Sequence, residues 1–285
     1  MSILRLLSRH ITVADLESPL GPTLSFSDDP VEAEQAIIAV APAPKDFGRL
    51  GPSDTNETFC LVKSDDGRVA HGAFLCDIMG ANRTVAEAAI PILPNDCIAS
   101  NTPALQLLKF FADRSRPWAF VLTGTRLTGI VDKTDLWKPE FIVCIFALLL
   151  DVEQQCAEVL ANHEEIDTIW ATLTPGRQAK ALEVFEKRTK KSPDMATTSD
   201  LVFCTTFADK PSMLALLPSF ADISKRQLKT DFATMEKCRN LLAHTGESAV
   251  MELEEMVRVI DIAEGMLKRL LPQEEPTIRL VKGRM

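Results

Sequence analysis

Two hydrophobic periodicities divide this chain. In the first half, short apolar runs alternate with turn residues. The run 118–122 (WAFVL) predicts a strand, 123–126 (TGTR) a turn in which Gly124 supplies the flexible position, and 127–131 (LTGIV) a second strand, after which DKTDL begins a helix. Upstream the same order recurs: strand 59–62 (FCLV), turn 64–67 (SDDG), strand 68–75 (RVAHGAFL), then CDIM. The lead-ins match as well. Polar clusters ending in Pro30 and Pro103 precede the amphipathic runs EAEQAIIAV and LQLLKFFAD, and proline near the first helical turn suits a helix start. Pro30 and Pro103 are 73 residues apart, whereas Asp77 and Asp135 are 58 apart, so the first copy is longer by 15. The surplus fits 41–57, a run of Pro, Gly, Asp and Ser that reads as a surface loop. Two such units, each covering the other's apolar face, predict a two-fold pseudo-symmetric domain.

From Pro139 onward the apolar residues fall at helical spacing. Helices are predicted over 140–162, 166–173, 178–191, 200–208, 213–220, 222–243 and 248–271, with Thr174-Pro175-Gly176 stopping the second of them and 192–199 a loop. The tail from Pro272 is charged and expected to fray. The fold expected is an α+β pair over 1–137 followed by an all-α bundle over 138–285.

Composition narrows the function classes. The 285 residues are 46% hydrophobic and 25% charged, as in an ordinary globular protein. With a net charge of −9 the chain is not held on nucleic acid by bulk charge. DNA is therefore not an expected partner, and any RNA contact needs a local basic patch. Two such patches stand at Lys187–Lys191 and at Lys225, Arg226 and Lys229, although a solvated helix face is the plainer reading of both. Seven scattered cysteines (Cys60, Cys76, Cys97, Cys144, Cys156, Cys204, Cys238) form no C-x-x-C pair. They read as free thiols, mostly buried, in a reducing cytoplasm, with no metal site. The apolar run 141–150 is too short to span a bilayer.

The segment 129–136 (GIVDKTDL) and the repeat around it resemble a cystathionine-β-synthase-type (CBS) pair over roughly 8–137. That resemblance implies an adenine-nucleotide regulatory ligand. It makes Gly129 the point of close ligand approach and Asp135 the ribose contact, and it sets Asp132 where a hydroxyl residue would touch phosphate. A carboxylate there repels an anion at short range. In the first copy Gly72 lies five residues before Asp77 rather than six, which puts that motif out of register.

The segment 237–246 (KCRNLLAHTG) holds one of four histidines beside an arginine, with Gly246 placed as a C-cap. Histidine moves protons near neutral pH and arginine grips phosphate. Together they suffice for metal-independent RNA cleavage that leaves a 2′,3′-cyclic phosphate. On an ideal helix Arg239 and His244 are about 140° apart, so they meet only through a helix break, a wrapped arginine, or a second protomer. The alternative is a structural arginine paired with a carboxylate such as Glu236 or Glu247. The R-x4-H spacing, with Asn240 after the arginine, resembles the HEPN domain (the higher-eukaryote and prokaryote nucleotide-binding family) over about 139–271. It implies a homodimeric endoribonuclease with Arg239, Asn240 and His244 catalytic, of a kind found in toxin–antitoxin or defence systems. The competing class is a non-catalytic nucleotide-sensing or dimerising adaptor. His10, His71 and His163 are expected in surface or packing roles.

Overall fold

The structure, a computed structural model, describes residues 11–19, 23–25, 59–63, 69–74, 84–112, 118–243 and 251–271. The expected helix over 32–40, the loop 41–57, Asp77, His10, His244 and the tail from Pro272 lie outside them. The described residues form two compact units, 11–145 with 251–253, and 146–243 with 254–271.

The first unit is built from two four-stranded sheets. In one sheet β6 (Cys97–Ala99) runs parallel to β7 (Trp118–Thr123), which pairs antiparallel with β8 (Arg126–Asp132). In the other, β2 (Thr23–Ser25) runs parallel to β3 (Phe59–Lys63), which pairs antiparallel with β4 (Val69–Phe74). The strand order therefore repeats the strand–strand pattern seen in the sequence. Each sheet is completed from the other half of the repeat. β1 (Ser18–Pro19), from the first copy, joins β8, and β5 (Ile90–Pro91), from the second, joins β4. The four short strands β1, β2, β5 and β6 carry no alternating signal, because two or three residues are too few to show a period.

The β7–β8 hairpin turns at Gly124, whose φ of 63° is costly for any residue with a Cβ. Along β7, Trp118 to Val121 are all buried. Trp118 meets Phe120 edge-on at 5.1 Å, and Ile90, Ile92 and Ile130 pack against them. Helix α1 (Val85–Ala88) opens with a Thr84/Glu87 capping box. Helix α2 (Ala104–Ala112) buries Ala104, Leu107, Leu108 and Phe111 on one stripe. The chain at 11–14 docks on the loop before α2, with the Val13 N–H donating to the Thr102 carbonyl at 2.9 Å and the Ala104 N–H to Ile11 at 3.0 Å.

Beyond the 3-10 turn Lys133–Trp137, the remaining described residues form helices and turns: α3 (Pro139–Ala161), α4 (Ile166–Trp170), α5 (Pro175–Thr189), α6 (Thr198–Val202), α7 (Lys210–Leu214), α8 (Lys225–Ala243) and α9 (Leu253–Leu270). One boundary differs in kind from the sequence expectation. Thr174-Pro175-Gly176 begins α5 rather than ending the helix before it, with Thr174 as N-cap and Pro175 at the first helical position. Proline belongs there because it lacks the N–H that would be left without a partner. The predicted helix 200–208 divides into α6 and the 3-10 turn Phe207–Asp209, because Thr197 and Thr206 each start a capping box. No helix among the described residues is long and apolar enough to cross a membrane.

Candidate functional sites

The first candidate site follows β8. The Asp132 carboxylate caps the 3-10 turn, accepting from the Thr134 N–H at 2.6 Å, the Thr134 hydroxyl at 2.5 Å and the Asp135 N–H at 3.3 Å. The Asp135 carboxylate answers by accepting from the Asp132 N–H at 2.7 Å, while its other oxygen meets Lys138 Nζ at 2.7 Å. Asp135 is buried. Burial, reinforced by the charge of Asp132, raises its carboxyl above the ordinary carboxylate range. Lys138 also donates to the Leu16 carbonyl. Both acids are thus held within the turn, and Asp135 also by Lys138.

Gly129 stands on β8 opposite Pro19 of β1. A Cβ at this position would meet the Ser18 carbonyl oxygen at 2.8 Å and the Glu17 carboxylate at 2.9 Å. The close approach that requires glycine here is made by the chain's own β1. Glu17 also accepts from the Thr128 hydroxyl at 3.2 Å. Nothing in the local sequence distinguishes Glu17, since it acts across a separation of more than a hundred residues.

The second candidate site lies in the helical unit. Arg239 is on the last turns of α8, with its guanidinium anchored on three sides. Nη1 donates to Glu153 of α3 at 2.8 Å, Nη2 is 4.0 Å from Glu236, and the group lies 5.4 Å from the centre of the Phe207 ring. Nη2 also reaches Asn240 Oδ1 at 3.4 Å. Asn240 is exposed, whereas the Arg239 side chain is 23% exposed. The structure therefore brings Arg239 and Asn240 together and adds a carboxylate, Glu153, 86 residues earlier in the chain.

Three further charged residues were not singled out from the sequence. Arg177 near the start of α5 holds Asp209 through Nε at 2.5 Å and also donates to the Thr206 hydroxyl. Burial works to raise the Asp209 carboxyl, but hydrogen bonds from Arg177 and Thr206 hold it below the ordinary range. Next to it, Lys210 is 1% exposed and donates to the Val202 carbonyl at 2.9 Å and the Thr205 hydroxyl at 2.7 Å. Burial pushes this ammonium down to about 8. A capping-box pattern, T-F-A-D, is legible at 206–209, but a lysine sealed inside the fold has no sequence signature.

Chemically, an arginine held through one edge by a carboxylate keeps other N–H groups for a phosphate, and its orientation is set beforehand. Cys144, Cys156, Cys204 and Cys238 are buried free thiols. Among the described residues no group of three or more His, Cys, Asp or Glu is placed to hold a metal ion.

No family model and no curated protein matches the chain. Among solved structures it is similar to the CBS domain of the bacterial CNNM/CorC family Mg2+ transporter in complex with ATP. The identity is 15% and the TM-score 0.34, covering 50% of this chain and 94% of that one. It is similar also to a hemolysin-like protein containing a CBS domain from Oenococcus oeni PSU, at 11% identity and TM-score 0.34, covering 49% and 96%. A third is the CBS domain protein TA0289 from Thermoplasma acidophilum, at 13% identity and TM-score 0.31, covering 48% and 75%.

Proposed function

We propose that the helical unit is a metal-independent endoribonuclease of HEPN type, working as a homodimer, and that the CBS-like unit regulates it. In this reading Arg239 grips the scissile phosphate and stabilises its developing charge, and Asn240 orients it. His244 takes the proton from the ribose 2′-hydroxyl or returns one to the leaving oxygen. The observation that supports it is the anchoring of Arg239 by Glu153 and Phe207 directly beside the exposed Asn240. A guanidinium fixed before the substrate arrives loses little entropy on binding phosphate. The test is incubation of the full chain with RNA in chelator. Fragments ending in a 2′,3′-cyclic phosphate are expected, with turnover lowered by about 100-fold or more in His244→Ala and in Arg239→Ala. Cleavage unchanged in both variants would sink the assignment.

The Glu153 ion pair favours a second reading, a non-catalytic adaptor in which Arg239 is structural and the CBS-like unit reads an adenine nucleotide. Ligand-dependent stabilisation without RNA turnover is its signature. A nucleotide at a hundred times its Kd raises stability by about 2.7 kcal/mol. A thermal-shift series with adenine nucleotides that shows no shift overturns the sensing role.

A further inference from the structure

One face of α8 carries a basic groove of ≈ 860 Å³, lined by Lys225, Arg226, Lys229, Ala233, Lys237 and, from α9, Glu255. The spacing explains it. Residues 225, 229, 233 and 237 recur every four positions, so their side chains stack along one side of the helix at about 6 Å per step. All four are exposed, as is Arg226. Lys237 is neutralised by Glu255 at 2.8 Å. Lys225, Arg226 and Lys229 have no ion-pair partner among the described residues. Three cations on one helix face without an ion-pair partner among the described residues stand out in a chain whose net charge is −9. Threonines line the floor, but their hydroxyls are turned inward: Thr230 donates to the Arg226 carbonyl at 3.1 Å and Thr234 to Thr230 at 2.9 Å. The groove thus offers cationic N–H donors without free threonine hydroxyls and without an aromatic ring. Asn240 lies three positions past Lys237, on the same side of α8, so the groove leads to the Arg239–Asn240 end of the helix.

We propose that this groove seats the sugar–phosphate backbone of single-stranded RNA and delivers it to Arg239 and Asn240. The proposal rests on the ribonuclease reading for its destination. Phosphates a helical turn apart match cations repeated along the helix, and the lack of aromatic rings makes the contact independent of base identity. A flexible single strand can follow the groove and still present a phosphate to the half-buried Arg239. A stiff duplex cannot bend into that position at small cost.

The test is salt-dependent binding of a fluorescent single-stranded RNA to the full chain in chelator, with cleavage followed in parallel on a gel. Three phosphate contacts give a log–log slope of about −2, an affinity loss of about 18-fold between 50 and 200 mM salt. In Lys225→Gln/Lys229→Gln the slope falls to about −0.7 and the loss over the same range to about 3-fold. Both lysines are exposed, and an unchanged melting temperature shows that the variant folds. An unchanged slope in the double variant overturns the groove, as does tighter binding of duplex DNA or of an acidic peptide. RNA that binds with the expected slope but is not cut leaves the groove standing and removes the ribonuclease reading. RNA that is cut with no change of slope in the double variant removes the groove alone.

Discussion

Arg239 and Glu153 meet at 2.8 Å, joining the last turns of α8 to the middle of α3. Their side chains are 23% and 27% exposed, so water screens the pair only in part. Glu153→Gln leaves the guanidinium without its counter-charge. The expected loss of stability is about 1–2 kcal/mol, between the values for exposed and buried pairs, and is read from the denaturation midpoint. The same variant separates the two functional readings. As a positioning residue Glu153 lowers RNA turnover when neutralised. In the adaptor reading there is no turnover to lower, and only stability changes.

Gly129 is required by the approach of β1. In Gly129→Ala the new methyl group meets the Ser18 carbonyl oxygen at 2.8 Å, and that atom is backbone. The expected cost is roughly 1–3 kcal/mol in urea unfolding, from displacement of β1 off β8. Adding Glu17→Ala does not rescue the variant, because the Ser18 carbonyl remains. Full rescue would assign the crowding to the Glu17 side chain instead.

Lys190 closes α5 in the left-handed region, at φ 59° and ψ 19°. A side chain is strained there and glycine is not. Lys190→Gly is expected to raise stability by roughly 0.5–1 kcal/mol after the greater freedom of glycine in the unfolded chain is subtracted. A lower melting temperature in this variant would contradict the assigned helix end.

Lys210 is buried with no carboxylate in contact among the described residues, and its folded-state value lies near 8 against 10.5 for a free lysine. The folded state therefore holds fewer protons at this site than the unfolded chain between these values, and stability at this site rises with pH across that window. Below about pH 8 the buried charge is a net cost. Lys210→Met removes it. The Val202 carbonyl keeps the Thr205 hydroxyl as a donor at 2.7 Å. Lys210→Met is expected to gain roughly 1–3 kcal/mol at pH 7. The advantage should shrink as pH rises from 8 to 10.5. Unfolding curves at pH 7 and pH 10 check both the size and the sign.

The sequence by itself determined the division into a strand-rich repeat and a helical half, the β7–β8 hairpin with its turn at Gly124, and the adjacency of Arg239 and Asn240. These follow from local rules: period two against period 3.6, the freedom of glycine, and neighbouring positions on one helix. Only the tertiary structure decided what surrounds those residues. Glu153 reaches Arg239 from 86 residues away, β1 presses on Gly129, and Lys138 joins Asp135 to the Leu16 carbonyl. The basic patch at Lys225, Arg226 and Lys229 was legible as composition, but its joining with Lys237 and Glu255 into one groove was not. Periodicity records which way a side chain faces within its own element. Which partner meets it there depends on how distant elements pack, and no local pattern carries that information.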